Sequence, residues 1–225
     1  MIHDPLIVFA YLAAVTSRIK FATGVYILPL RNPIAVAKAV ASLDQLSNGR
    51  FLFGVGIGWL REEFEWVGMD WENRARRNNE TLKLLEALFT ERLPAFQGRT
   101  VATANFYFEP KPAQQPHPPY IIGGNTEAAM KRACRLGDGW YGIAKELGGA
   151  LFLVKKLHEL QKSYQRPKPL EVTLGLQWRG VTPDDIGRLA EAGVQRVLPS
   201  TDLVARDSLG AMRAAHERLV SKFPP

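Results

Sequence analysis

Apolar positions along the chain come in blocks that alternate between helical and strand-like spacing. Asp4-Pro5 supplies a cap acceptor followed by proline at a first helical position, and residues 6–15 then read as a largely buried helix. Residues 19–28 are rich in β-branched and aromatic side chains between Arg18 and Pro29, which predicts a strand. Asn32-Pro33 opens the next helix, Ala37, Val40, Ala41 and Leu46 keep its spacing, and Asn48-Gly49 stops it. A short strand over 50–55, a short helix over 59–67 and a longer amphipathic helix over 73–89 follow. Residues 94–119 break the rhythm with six prolines between Pro94 and Pro119 and a strand-like stretch at 105–109. So long an excursion is expected to be either functional or disordered. Beyond it the pattern predicts strands at 120–122, 139–143, 171–176 and 194–199, and helices at 126–136, 147–165, 184–192 and 208–220.

Strands alternating with helices predict a parallel sheet wrapped by helices. Six βα units can be counted, whereas a closed barrel of this kind needs eight. The sheet is therefore either open and doubly wound, or part of a barrel lacking two units. The chain is read as one domain over residues 1–225, with the excursion at 94–119.

Composition narrows the function classes. With 46% apolar and 23% charged residues in 225, the chain is long enough to bury a core without covalent staples. Cys134 is the single cysteine, so no disulfide framework and no CxxC metal clip can form, and a cytoplasmic location is expected. No apolar run approaches the ~20 residues of a membrane span, and the start Met1-Ile2-His3-Asp4-Pro5 has no basic head of a signal peptide. The formal charge of +7 is dispersed. Its densest run, Arg74-Ala75-Arg76-Arg77, precedes Glu80 and Glu86 at helical spacing and reads as a solvated helix face, so no nucleic-acid partner is expected. The surplus also suits an anionic cofactor.

Two glycine segments carry candidate chemistry. Gly54-Val55-Gly56-Ile57-Gly58-Trp59 follows a strand and opens a helix, where backbone can approach a ligand. It is no dinucleotide fingerprint, because the third glycine position holds Trp59; a ligand-free turn accounts for it equally well. Ile121-Ile122-Gly123-Gly124-Asn125-Thr126-Glu127 runs strand, double glycine, cap, helix, an arrangement that can hold a phosphate on free N–H groups. Glu127 weighs against this, since a carboxylate in the first turn already answers the helix dipole. Thr23-Gly24-Val25 interrupts an apolar strand, which marks a bulge or a close approach. The histidines, His3, His117, His158 and His216, form no metal pattern, and no nucleophile–base pair is evident. Cys134 reads as a small core residue.

Taken together, these motifs resemble the luciferase-like monooxygenase superfamily, in its coenzyme F420-dependent oxidoreductase branch. The likeness is carried by Asp4-Pro5-Leu6, Thr16-Ser17-Arg18-Ile19, Thr23-Gly24-Val25 through Pro29, Asn32-Pro33 and Leu43-Asp44 with Ser47-Asn48-Gly49-Arg50. Gly54 to Trp59 with Glu62-Glu63-Phe64, Arg74 and Arg77, Pro110-Lys111-Pro112, Pro118 to Gly124 and Gly137-Asp138-Gly139-Trp140 complete the set. The resemblance implies an α/β fold of (β/α)8 TIM-barrel type, with the first two βα units lacking and six parallel strands present. It implies that Thr23, Gly24 and Val25 form a bulge behind a flavin-like ring, commonly with a non-proline cis peptide. It further implies that Gly56, Gly58 and Trp59 line the cofactor and that Gly123, Gly124 and Asn125 cradle its phosphate. The cofactor would be coenzyme F420 or, alternatively, FMN; the substrate would be a small organic molecule.

The implied enzyme is an F420-dependent hydride-transfer oxidoreductase or an FMN-dependent monooxygenase, and no catalytic residue is singled out. A homo-oligomer is expected. The alternative is a catalytically inactive barrel fragment serving as a structural or interaction module, since six strands of a barrel leave two parallel edges open. A third reading, another phosphate-binding barrel enzyme, wants a catalytic lysine or carboxylate at a strand end. Lys145 is the nearest residue to meet it.

Overall fold

The structure, a computed structural model, describes residues 3–104, 106–177 and 180–199, together with Gly210, Arg213 and Glu217. Two compact units divide the chain, Met1–Gly123 and Gly124–Pro225.

In the first unit, helix α1 (Pro5–Val15) starts where the sequence places it, with Asp4 accepting from the Leu6 N–H at 2.9 Å. Its burial differs from expectation. Leu6 and Ala13 are buried, but Ile7, Tyr11 and Val15 stand exposed. The unit covers one side of the helix, where Phe9 meets Phe21 and Phe51, and α2 packs alongside.

The strand expected over 19–28 is two short strands, β1 (Phe21–Ala22) and β2 (Tyr26–Ile27), followed by a 3-10 turn at Leu28–Leu30. Helix α2 (Pro33–Leu46) is capped by Asn32, whose side chain accepts from the Ile34 and Ala35 N–H groups. It leads into β3 (Phe51–Gly56), buried along its whole length. Both β1 and β2 pair parallel with β3, Ala22 opposite Leu52 and Tyr26 opposite Val55. Four steps of chain therefore face three, and the extra residue is a bulge at Thr23–Val25.

Helices α3 (Arg61–Trp66) and α4 (Arg74–Thr90) follow. The run Arg74–Arg77 is not simply a solvated face. The Arg77 guanidinium donates to the carbonyls of Pro29, Arg31 and Thr100, while that of Arg74 lies 3.5 Å over the Trp71 ring. Carbonyls left unpaired in neighbouring turns draw the arginines inward, which charge spacing on one helix cannot register.

The excursion contains a small antiparallel hairpin, β4 (Phe96–Gln97) with β5 (Ala102–Thr103). The strand expected at 105–109 is absent over 106–109, and residue 105 lies outside the described residues. Order in the excursion comes from side chains reaching main chain. Asp44, fully buried, accepts from the backbone and side-chain amides of Gln114. The Lys111 ammonium caps the carbonyls of Leu88 and Glu91. The unit ends with β6 (Tyr120–Gly123), parallel to β3.

The second unit contains α5 (Glu127–Leu136), β7 (Gly139–Ala144), α6 (Leu147–Ser163), β8 (Glu171–Leu176), α7 (Pro183–Glu191) and β9 (Arg196–Pro199). Strands β7, β8 and β9 pair parallel in that order. One face, Trp140, Ala144, Val172, Leu174 and Leu176, is buried and apolar. Cys134 is buried within its unit, in keeping with a core role. The Arg166 guanidinium closes the end of α5 by donating to the carbonyls of Ala133, Cys134 and Gly137. The helix expected over 208–220 lies outside the described residues apart from Gly210, Arg213 and Glu217. Among the described residues, apart from the β4–β5 hairpin, six parallel strand positions are present, β1 and β2 sharing one, and no helix is long and apolar enough to cross a membrane.

Candidate functional site

In the first unit the three strand positions bring Thr23–Val25, Gly54–Gly56 and Gly123 together. Thr23 is buried and its hydroxyl donates to the Gly54 carbonyl at 2.6 Å, fixing the bulge to the middle of β3. The following Gly24–Val25 peptide is cis, as the resemblance implied. Val25 is then laid across the neighbouring strands. A Cβ at Gly56 would come within 2.6 Å of one Val25 methyl, and a Cβ at Gly123 within 2.5 Å of the other. A Cβ at Gly54 would meet the Thr23 carbonyl oxygen at 1.7 Å. The three glycines are thus the seat of the bulge, and what they support is an exposed shelf made of Gly24 and Val25, with 37% of Val25 accessible.

Gly58 turns the chain out of β3 at φ +79°, where its Cα faces Phe64 and Ile27 too closely for a side chain. Trp59 follows with 82% of its surface exposed, so among the described residues of its own unit nothing buries the indole. Tyr26, next to the shelf, is half-stacked by Arg31 at 5.1 Å; burial raises its phenol pKa, partly offset by that guanidinium.

In the second unit Gly124, Asn125 and Thr126 lead into α5. Gly124 has φ +123°, a conformation that suits glycine, with Ala129 Cβ 3.0 Å from where a side chain would begin. Its N–H donates to the Tyr141 carbonyl and its own carbonyl accepts from the Trp140 indole, at 3.0 and 2.9 Å. The Asn125 side chain does not reach outward. Its amide donates to the Ile143 carbonyl at 2.6 Å and its oxygen accepts from the Ile143 N–H at 2.9 Å. Asn125 therefore extends the edge of β7 as a strand residue would, and Thr126 performs the capping by accepting from the Ala129 N–H.

The electrostatics of this helix start differ from the sequence picture. Glu127 is paired with Lys131 at 2.6 Å and with Lys156 at 3.2 Å. Hydrogen bonds from these two ammonium groups, then their charge, hold its carboxyl below the usual range. Two cations against one anion leave the first turn of α5 net positive. The Lys131 contact follows from i,i+4 spacing. Lys156 comes from α6, and no local sequence signal indicates it.

The family model described as luciferase-like monooxygenase matches residues 1–215. An uncharacterized protein of Mycobacterium tuberculosis is 34% identical over 197 residues, covering 87% of this chain and 68% of its own length. The FMNH2-dependent dimethylsulfone monooxygenase of Pseudomonas putida is 32% identical over 142 residues, 62% of this chain and 39% of that protein. Among solved structures, the coenzyme F420-dependent tetrahydromethanopterin reductase of Methanopyrus kandleri superposes with a TM-score of 0.81 at 16% identity, over 99% of this chain and 88% of that one. The fold is accordingly the α/β, TIM-barrel type of the luciferase-like proteins.

Proposed function

The chain belongs to the luciferase-like monooxygenase family, and from that premise we propose an oxidoreductase that binds a phosphate-bearing, flavin-type cofactor and acts on a small organic substrate. Coenzyme F420 is the first cofactor in this reading. The observation that carries it is the Thr23–Val25 bulge, an exposed apolar shelf whose seat is three glycines on two parallel strands. Such a seat has a cost, because glycine weakens strand interiors, and a flat ligand against the shelf accounts for its upkeep.

The residues suit the cofactor on two counts. Gly24 and Val25 offer an apolar surface for a ring system, with Gly56 and Gly58 below and beside it and the free indole of Trp59 as a wall. Gly123, Gly124 and Asn125 precede a helix start made net positive by Lys131 and Lys156, which favours a phosphate group. In this reading Asn125 acts by holding the turn, and main-chain N–H groups of the first turn do the binding. When bound, the cofactor supplies hydride transfer, or oxygen activation if its ring is a true flavin. The chain's part is orientation and the exclusion of water.

FMN is the second reading, favoured by the identity shared with a protein described as FMNH2-dependent. Fluorescence titration of the full chain with F420 and with FMN separates the two. Binding of F420 in preference to FMN is expected. Binding of neither would overturn the proposal.

A further inference from the structure

The face of β7, β8 and β9 opposite the apolar one carries Tyr141, Ile143, Glu171, Thr173, Gly175 and Arg196. Two of its polar groups serve each other. Arg196 pairs with Glu171 at 2.6 Å and donates to the Thr173 hydroxyl at 3.1 Å, closing the lower part of this face.

Tyr141 is different. Its direct partner on β8 is Thr173, yet its phenol leans diagonally along the strands to Gly175, which is opposite Ile143. A Cβ at Gly175 would lie 2.7 Å from the hydroxyl, 3.3 Å from Cζ and 3.4 Å from Cε2. The ring therefore occupies the space a side chain at 175 would need, and it points toward the C-terminal ends of the strands. That end is where Gly124 and Asn125 are fastened, to the Tyr141 carbonyl and to both backbone groups of Ile143. Among the described residues the Tyr141 hydroxyl has no hydrogen-bond partner. Burial of the residue raises the phenol pKa, so the group keeps its proton and remains a donor at neutral pH.

Packing alone does not account for this pair. Phenylalanine would fill the same space without a half-buried hydroxyl that no described residue pairs, and a glycine inside a strand is unfavourable unless something needs the room. In parallel α/β sheets ligands gather at the C-terminal strand ends.

We propose that Tyr141 contacts the cofactor, its hydroxyl donating a hydrogen bond to a ligand oxygen, and that Gly175 is the positioning residue that lets the phenol lie in that direction. The inference rests on the cofactor-binding reading above. Its test is titration of wild type, Tyr141→Phe and Gly175→Ala with F420 and FMN, alongside the urea midpoint of each. Tyr141→Phe is expected to raise the Kd of the cofactor that wild type binds about 5- to 10-fold, the size of one net hydrogen bond, at an unchanged midpoint. Gly175→Ala is expected to weaken binding too, and the double variant to bind no worse than the weaker of the two single variants. Unaltered affinity in Tyr141→Phe overturns this inference and leaves the cofactor reading standing. Failure of wild type to bind either cofactor overturns both.

Discussion

Replacing Gly56 with alanine puts a methyl carbon 2.6 Å from the Val25 Cγ2 and 3.5 Å from its Cβ. The first distance is well inside contact, and forcing an extra carbon into a packed site costs about 1–3 kcal/mol. Val25→Ala by itself removes two methyl groups from a side chain with 37% of its surface exposed, a loss of about 1 kcal/mol on the scale of a partly buried valine. In the double variant the obstructing methyl is gone and the nearest remaining carbon is at an ordinary contact distance. Gly56→Ala/Val25→Ala should therefore be about as stable as Val25→Ala alone, with a coupling of about 1–3 kcal/mol in its favour. Gly54→Ala is the discriminating comparison. Its obstacle is the Thr23 carbonyl oxygen at 1.7 Å, main chain rather than side chain, so Val25→Ala should not rescue it. Urea unfolding followed by tryptophan fluorescence reads wild type, the three single variants and the two double variants. If Gly56→Ala and Val25→Ala simply add, within about 0.5 kcal/mol, the bulge is not seated on that glycine and the reasoning for the shelf fails.

Three further outcomes are expected. Burial alone would raise the Glu80 carboxyl, but hydrogen bonds from the Thr100 hydroxyl and the backbone of the 99–101 turn outweigh it and leave its pKa lowered. That contribution is present above the ordinary carboxylate range and is lost as pH falls through the lowered value, so Glu80→Gln should flatten the acid limb of a stability–pH curve. An unchanged limb would contradict the assignment. Arg166→Ala leaves the carbonyls of Cys134 and Gly137 without their donor, while that of Ala133 keeps the Gly137 N–H, and should cost about 1–3 kcal/mol in urea unfolding; a neutral result would mean water replaces the guanidinium fully. Asn125→Ala releases the Ile143 N–H, whose hydrogen exchange should quicken about 5-fold, while an unchanged rate would show that β7 needs no clamp there.

Legibility in the sequence followed the range of the forces involved. Helix starts at Asp4 and Asn32, and a third at Asn125 or Thr126, were readable because a cap bonds within three residues of itself. Strands β3, β6, β7 and β8 were readable because an apolar run between turn residues has few other uses. The glycines at 54, 56 and 123 could be noticed as a set, but their reason could not, since the atoms they make room for belong to Thr23 and Val25. The strand expected over 19–28 hid its bulge for the same cause: an extra residue is defined only against a partner strand.

By itself, then, the sequence determined the alternation of strands and helices and the family, because these depend on local chemistry and on residue patterns along one stretch of chain. Tertiary structure alone decided that Asn125 clamps β7, that Lys156 joins Lys131 in turning Glu127 from an objection into part of a net positive helix start, that Arg77 is drawn onto three carbonyls, and that Tyr141 lies over Gly175. Each of these joins residues between 18 and 48 positions apart, apart from the local Glu127–Lys131 pair. Contacts of that span exist only once the strands have set their register, and register is a property of pairs of strands rather than of either one.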